Sequence, residues 1–256
     1  MRQVRITTSD GVCPADVYAP RGEGPWPAVL MFMDGQGIRP AVRELAERLC
    51  DSGYFVLLPD LFYRSGPYEA VDPKTLMADP ELRRQHRERF MAPATAEAVM
   101  SDTGLFLRFL GAQPGVQRGP VGVVGYCMGG RFALLAAGTY PDRVAAIASY
   151  HGGGLVSDAP SSPHRLAPRI RAEVYVAGAS DDPNFTKGMK TTLVKALSAA
   201  EVRHCVETYP ARHGWVLRDM PVHDPEEAEH HWRTLIPFLD EGLKAGRGNY
   251  IEAWGS

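Results

Sequence analysis

The sequence predicts an α/β fold: a mostly parallel eight-stranded sheet with helices on both faces. Three observations carry this expectation. Apolar runs of strand length alternate with helical apolar patterns along most of the chain. The first two runs are joined by a short turn, so the sheet begins with an antiparallel pair. Finally, the run Val121–Gly125 passes directly into a glycine-flanked Cys127 and then an amphipathic segment, a strand–turn–helix signature.

Taken in order, Val4–Thr8 and Cys13–Tyr18 read as strands around the hairpin signal Ser9-Asp10-Gly11. Ala28–Met33 and Tyr54–Pro59 are the next two strands, with a helix over Ala41–Asp51 between them. A helix over Ala94–Leu110 precedes the strand Val121–Gly125, and another over Arg131–Gly138 follows it. Val144–Tyr150, Glu173–Ala177 and Val202–Tyr209 complete the sheet, with helices over Lys187–Ala200 and Pro225–Lys244. Two stretches break the alternation. Residues 64–93 hold Pro67, Pro73, Pro80 and a charged run over 81–89 that reads as a helix, and residues 152–168 are rich in Gly, Ser and Pro. Long irregular connections in a compact domain are often functional, which makes 64–93 a pocket-forming insertion in a single domain spanning 1–256.

At 256 residues, 45% hydrophobic and 23% charged, the chain can bury a sizeable core. A formal net charge of −2 with no long basic run argues against a nucleic-acid or membrane footprint and for small-molecule chemistry. No apolar stretch approaches the roughly 18 residues of a membrane span, and no signal h-region opens the chain, so a cytoplasmic protein is expected. The four scattered cysteines read as reduced thiols. Cys13, Cys50 and Cys205 fall in ordinary strand or helix patterns and read as small core residues.

Cys127 differs because Gly125 and Gly129 frame it, as small residues frame the serine of a G-x-S-x-G nucleophile elbow. Such a turn lifts the sulfur clear of the sheet and sets it at a helix N-terminus, which favours a thiolate and an oxyanion alike. A thiol nucleophile wants a base, and the base an orienting carboxylate, in the chain order nucleophile, acid, histidine. Asp181 and Asp182 follow the strand Glu173–Ala177, and either fits as the acid. His213 follows the last strand and fits as the base. His151 ends a strand beside the elbow and reads as packing or pocket-lining, and no histidine spacing makes a convincing metal set. The turn Met33-Asp-Gly-Gln-Gly37 offers the Gly35 N–H as an oxyanion donor, with the Met128 N–H as the second.

With Gly125-Tyr-Cys-Met-Gly-Gly130, Gly53-Tyr-Phe-Val-Leu-Leu-Pro-Asp-Leu61, the acidic loop at 181–182 and His213-Gly-Trp215 in view, the chain resembles the dienelactone hydrolases (carboxymethylenebutenolidases) over nearly its whole length. The resemblance implies an α/β-hydrolase fold and a Cys-Asp-His triad of Cys127, Asp182 and His213. Asp182 is preferred over Asp181 because the family's acid is typically followed three positions later by an apolar residue, here Phe185. It also implies a glutamate that contacts the resting thiol, whose position falls on Asp34, and two arginines that hold a substrate carboxylate. The first falls near Arg84. The second falls on Leu217, with Arg218 one step beyond, so the carboxylate clamp is incomplete or rebuilt, since leucine cannot replace a guanidinium fork. Asp34, Arg84, His151 and Arg218 are therefore the expected substrate-binding residues. The implied activity is hydrolysis of a lactone or ester through a thioester, with no cofactor, by a monomer or small homo-oligomer. The alternatives are a carboxylesterase or thioesterase on neutral substrates, and a non-catalytic ligand-binding or thiol-sensing protein with this fold.

Overall fold

A computed structural model describes residues 1–244 of the protein; residues 245–256 of the expected domain lie outside the described residues. The elements are β1 (Arg2–Thr8), β2 (Gly11–Tyr18), β3 (Ala28–Phe32), α1 (Pro40–Asp51), β4 (Phe55–Pro59), α2 (Pro73–Ala78), α3 (Pro80–His86), α4 (Ala96–Gly111), β5 (Val121–Tyr126), α5 (Met128–Thr139), β6 (Val144–Tyr150), β7 (Glu173–Asp181), α6 (Lys187–Ala199), β8 (His204–Arg212) and α7 (Pro225–Leu243). The eight strands form one sheet in the order β1-β2-β4-β3-β5-β6-β7-β8. β1–β2 and β2–β4 pair antiparallel, and every other neighbour pairs parallel. The mostly parallel sheet with an antiparallel start is as the sequence predicts.

Central β3, β4 and β5 are buried at every residue, which explains their unbroken apolar runs. α1 and α7 pack against one face of the sheet, while α4 and α5 pack against the other. Three helices begin with the same chemistry. Asp72, Asp79 and Asp224 each accept first-turn N–H bonds with a proline at the next position, Pro73, Pro80 and Pro225. An aspartate cap satisfies otherwise unpaired amides, and proline there has no N–H to lose.

Two departures from the sequence reading bear on the site. The last two strands run further than their apolar cores, to Asp181 and Arg212, because ladder pairing of Ala179 with Tyr209 and Asp181 with Arg212 carries them on through a register shift. Cross-strand pairing here overrides the turn propensity of Pro210. In the 64–93 stretch, α2 was not anticipated, and the charged helix stops at His86 and continues as one π-helical turn over Arg87–Met91. This stretch packs onto the turn after β3: the Ile38 N–H donates to Tyr68 Oη at 3.0 Å, and His86 Nε2 donates to the Gly35 carbonyl at 2.7 Å.

Candidate active site

β5 ends at Tyr126, and Cys127 stands between it and α5 with φ 53° and ψ −113°. A non-glycine residue in that region carries strain of about 1–3 kcal/mol, held only by surroundings that over-determine it. The surroundings do so here. A Cβ on Gly125 would lie 2.0 Å from the Gly129 carbonyl oxygen, and one on Gly129 would lie 2.5 Å from the carbonyl oxygens of Phe32 and Met33. Only glycine fits at either place. The Cys127 N–H donates to Tyr150 O at 3.0 Å, and its carbonyl accepts from Gly130 and Gly153 at 3.1 and 3.3 Å. The elbow is thereby pinned to β6 and to the loop after it, with Cys127 at the α5 N-terminus and no side chain capping that helix.

The extended ends of β7 and β8 bring the other two groups to the sulfur. Asp181 is still in the strand, exposed and 3.3 Å from Arg212. Asp182, one residue on, turns inward and is buried. It accepts the Asn184 N–H at 2.8 Å, which aims its second oxygen at His213 Nδ1, 2.7 Å away. His213 Nε2 is 3.0 Å from Cys127 Sγ. Burial opposes charge on the imidazole, but its hydrogen bonds to Asp182 and Cys127 and the charges of both outweigh it, raising His213 to about 10. The arrangement therefore favours an imidazolium at His213, 3.0 Å from the Cys127 sulfur.

The end of β3, which leads into the next turn, lies against the elbow at Gly129, where a Cβ would be 2.5 Å from the Met33 carbonyl oxygen. Asp34 caps that turn, accepting the Gln36 N–H at 3.0 Å. Gly35 is crowded by Met91, whose Cε would be 2.8 Å from a Cβ there. The turn that carries the Gly35 N–H is thus set by residues on both flanks.

Of the four expected substrate-binding residues, three are engaged elsewhere, and only His151 packs against the Cys127–His213–Asp182 line. Both carboxylate oxygens of Asp34 are engaged by Arg39, at 2.7 and 3.0 Å, so the carboxylate is not the thiol's partner. Arg84 lies on the exposed face of α3, paired with Glu81 at 2.6 Å and Glu88 at 2.7 Å. Arg218 is exposed and paired with Glu44, while Leu217 is buried. His151 has φ 40° and no exposure, its ring packed on His213 and Trp215 with centroids 5.2 and 5.0 Å apart. Burial first, then the neighbouring His213 and His231 charges, hold it well below the usual histidine range, so it backs the site as a neutral ring. Cys13 is buried, and Cys50 and Cys205 partly so, with burial pushing each thiol up.

Two residues escaped the sequence reading. Arg39 left no signal, since nothing in Gly37-Ile-Arg-Pro40 distinguishes it from a surface arginine. His86 left a weak one, the four-residue spacing to Phe90, whose ring centroid lies 5.1 Å away. Among the described residues, no helix is long and apolar enough to cross a membrane.

A mostly parallel eight-stranded sheet, an elbow after its central strand and a histidine after its last define an α/β-hydrolase. The comparisons are narrower. The dienelactone hydrolase family model matches residues 14–243, and the chain belongs to that family. A carboxymethylenebutenolidase of Pseudomonas putida is 31% identical over 153 residues, 59% of this chain and 61% of the relative. A Synechocystis protein provisionally named a carboxymethylenebutenolidase is 24% identical over 231 residues, 88% of this chain and 90% of its own. The solved structure of a dienelactone hydrolase from Anabaena variabilis has a TM-score of 0.66 at 18% identity, covering 94% of this chain and 97% of that one, and shares the fold. The protein is thus a hydrolase acting on carboxylic esters or lactones.

Proposed function

We propose that the protein hydrolyses a small lactone or ester through a thioester on Cys127, with His213 as proton carrier and Asp182 as its orienting acid. The observation that carries this reading is the unbroken line from Cys127 Sγ to His213 Nε2 at 3.0 Å and from His213 Nδ1 to Asp182 Oδ2 at 2.7 Å, at a strained elbow.

In the first half-reaction the Cys127 thiolate attacks the substrate carbonyl, forming a C–S bond and an oxyanion. The N–H groups of Gly35 and Met128 are the donors for that oxyanion. Collapse breaks the C–O bond, and the His213 imidazolium gives its proton to the leaving oxygen. Acylation removes the sulfur's negative charge, one of the causes that raise His213, so the imidazole becomes a competent base for water. Water then attacks the thioester and passes a proton to His213. C–S cleavage releases the acid and restores the imidazolium–thiolate pair. The reaction balances without a cofactor. In this reading, residues 64–93 form one wall of the entrance, since Tyr68, His86 and Met91 all touch the turn that carries Gly35.

Dienelactone hydrolysis by the parent and by Cys127→Ala is the direct test. Turnover should fall by about 10⁶-fold in the variant, as loss of a triad nucleophile does elsewhere. Near-parental activity in Cys127→Ala would refute the assignment. A second reading, an esterase or thioesterase for neutral substrates, is favoured by the engagement of Arg84 and Arg218 with carboxylates of the protein itself. It predicts a higher kcat/KM for p-nitrophenyl acetate than for a carboxylate-bearing lactone.

A further inference from the structure

The turn bearing Gly35 and the loop bearing His213 are held to each other by Arg39. The guanidinium is buried, and each of its five N–H groups has a partner. NH1 donates to Asp34 Oδ1 at 2.7 Å and to the Gly37 carbonyl at 3.2 Å, and NH2 donates to Asp34 Oδ2 at 3.0 Å. NH2 also donates to Asp219 Oδ1 at 3.1 Å, and Nε donates to Asp219 Oδ2 at 2.6 Å. Asp34 immediately precedes Gly35, and Asp219 lies six residues beyond His213. A parallel link runs beside this one. Gln36 Nε2 lies 3.1 Å from Met220 Sδ, and Met220 Cε packs where a Cβ on Gly214 would be, 3.1 Å away. Arg39 also occupies the N-cap position of α1 without capping it, where a short polar residue would serve the helix better. A local rule is broken there, and the buried fork is what the broken rule makes room for.

We propose that Arg39 is a positioning residue for oxyanion stabilisation: by forking onto Asp34 and Asp219 it holds the Gly35 N–H at a fixed place relative to His213 and Cys127. The inference rests on the thioester reading above. It assigns Arg39 no contact with substrate and no part in proton transfer. A planar fork with two carboxylate partners sets both distance and angle, which a lysine in the same place would not do. Misplacing a preorganised donor by about 1 Å costs on the order of 10²-fold in rate.

The test separates the oxyanion donor from the thiol–imidazole pair. Hydrolysis of p-nitrophenyl acetate needs both, whereas alkylation of Cys127 by iodoacetamide forms no oxyanion and reads the thiol alone. Because Arg39→Met alone leaves Asp34 buried without its partner and can prevent folding, the informative variant is the double replacement D34N/R39M, with D219N as a milder second variant. In folded D34N/R39M, kcat should fall by about 10²-fold with KM within threefold and the alkylation rate within twofold of parent. D219N should fall by about 10-fold with the same pattern, and R39K should not restore the parental rate. Parental kcat in both D34N/R39M and D219N overturns the inference, as does a loss of alkylation in step with kcat, which marks a merely structural role. A parent with no Cys127-dependent hydrolysis overturns the function and this inference together. A parent that hydrolyses alongside fully active variants overturns this inference alone.

Discussion

At the scale of single residues, the acidic pair at the end of β7 shows how neighbouring identical side chains meet different surroundings. Asp181 is exposed beside Arg212, whereas Asp182 is buried against His213. Asp182→Asn should lower kcat by about 10³–10⁴-fold, because an amide cannot hold the imidazolium or its tautomer. Asp181→Asn should stay within about twofold, since an exposed ion pair contributes little. Reversed effects in steady-state assays would move the acid to Asp181. His213 sets a pH dependence as well. Its value is raised from the ordinary 6.5 to about 10, so the proton that the proposed mechanism gives to the leaving group is present at neutral pH and is lost as pH rises through about 10. The acylation burst with p-nitrophenyl acetate should therefore persist to about pH 9 and decline above it. A burst already lost at pH 8 would contradict the pairing.

At the scale of elements, the elbow is a packing problem before it is a chemical device. The start of α5 fills with backbone the space a side chain would need at Gly125, and the end of β3 does the same at Gly129. Gly125→Ala should cost more than about 3 kcal/mol and remove activity, because backbone cannot yield as the end of a flexible side chain can. Gly188→Ala, on exposed α6 with nothing nearer than 3.9 Å to its Cβ, should instead gain about 0.5–1 kcal/mol. Chemical denaturation of both variants checks this contrast. The glycine frame of the elbow was legible in the sequence because its spacing is local. The aspartate–proline starts of α2 and α3 were equally local, yet the prolines of that region read as interruptions and α2 was missed. The ends of β7 and β8 were not legible, since they depend on a ladder between segments that are distant in the chain.

At the scale of the whole molecule, Cys127, Asp182 and His213 follow the ends of β5, β7 and β8, of which β5 is buried throughout while the edge strand β8 buries only Tyr209 and Ala211. β3 and β5 have no exposed residue, whereas α2 and α3 bury only Pro73, Leu76 and His86. Amides of Val29–Phe32 and Val121–Tyr126 should exchange with deuterium only on global unfolding, and those of Thr75–Ala78 through local opening. Equal protection of the two sets would show that the 64–93 stretch is as firmly built as the sheet. The amino-acid sequence alone carried the α/β class, the eight strands in order and the elbow at Cys127, because these are written in local spacing and periodicity, while the choice of Asp182 over Asp181 came from the family resemblance. Only the tertiary structure decided the partners of the charged groups. Asp34 faces Arg39 rather than the sulfur, Arg84 and Arg218 face glutamates, and Arg39 ties two loops together. A long charged side chain chooses among whatever the fold brings within a few ångströms, and hydrophobic pattern carries no record of that choice.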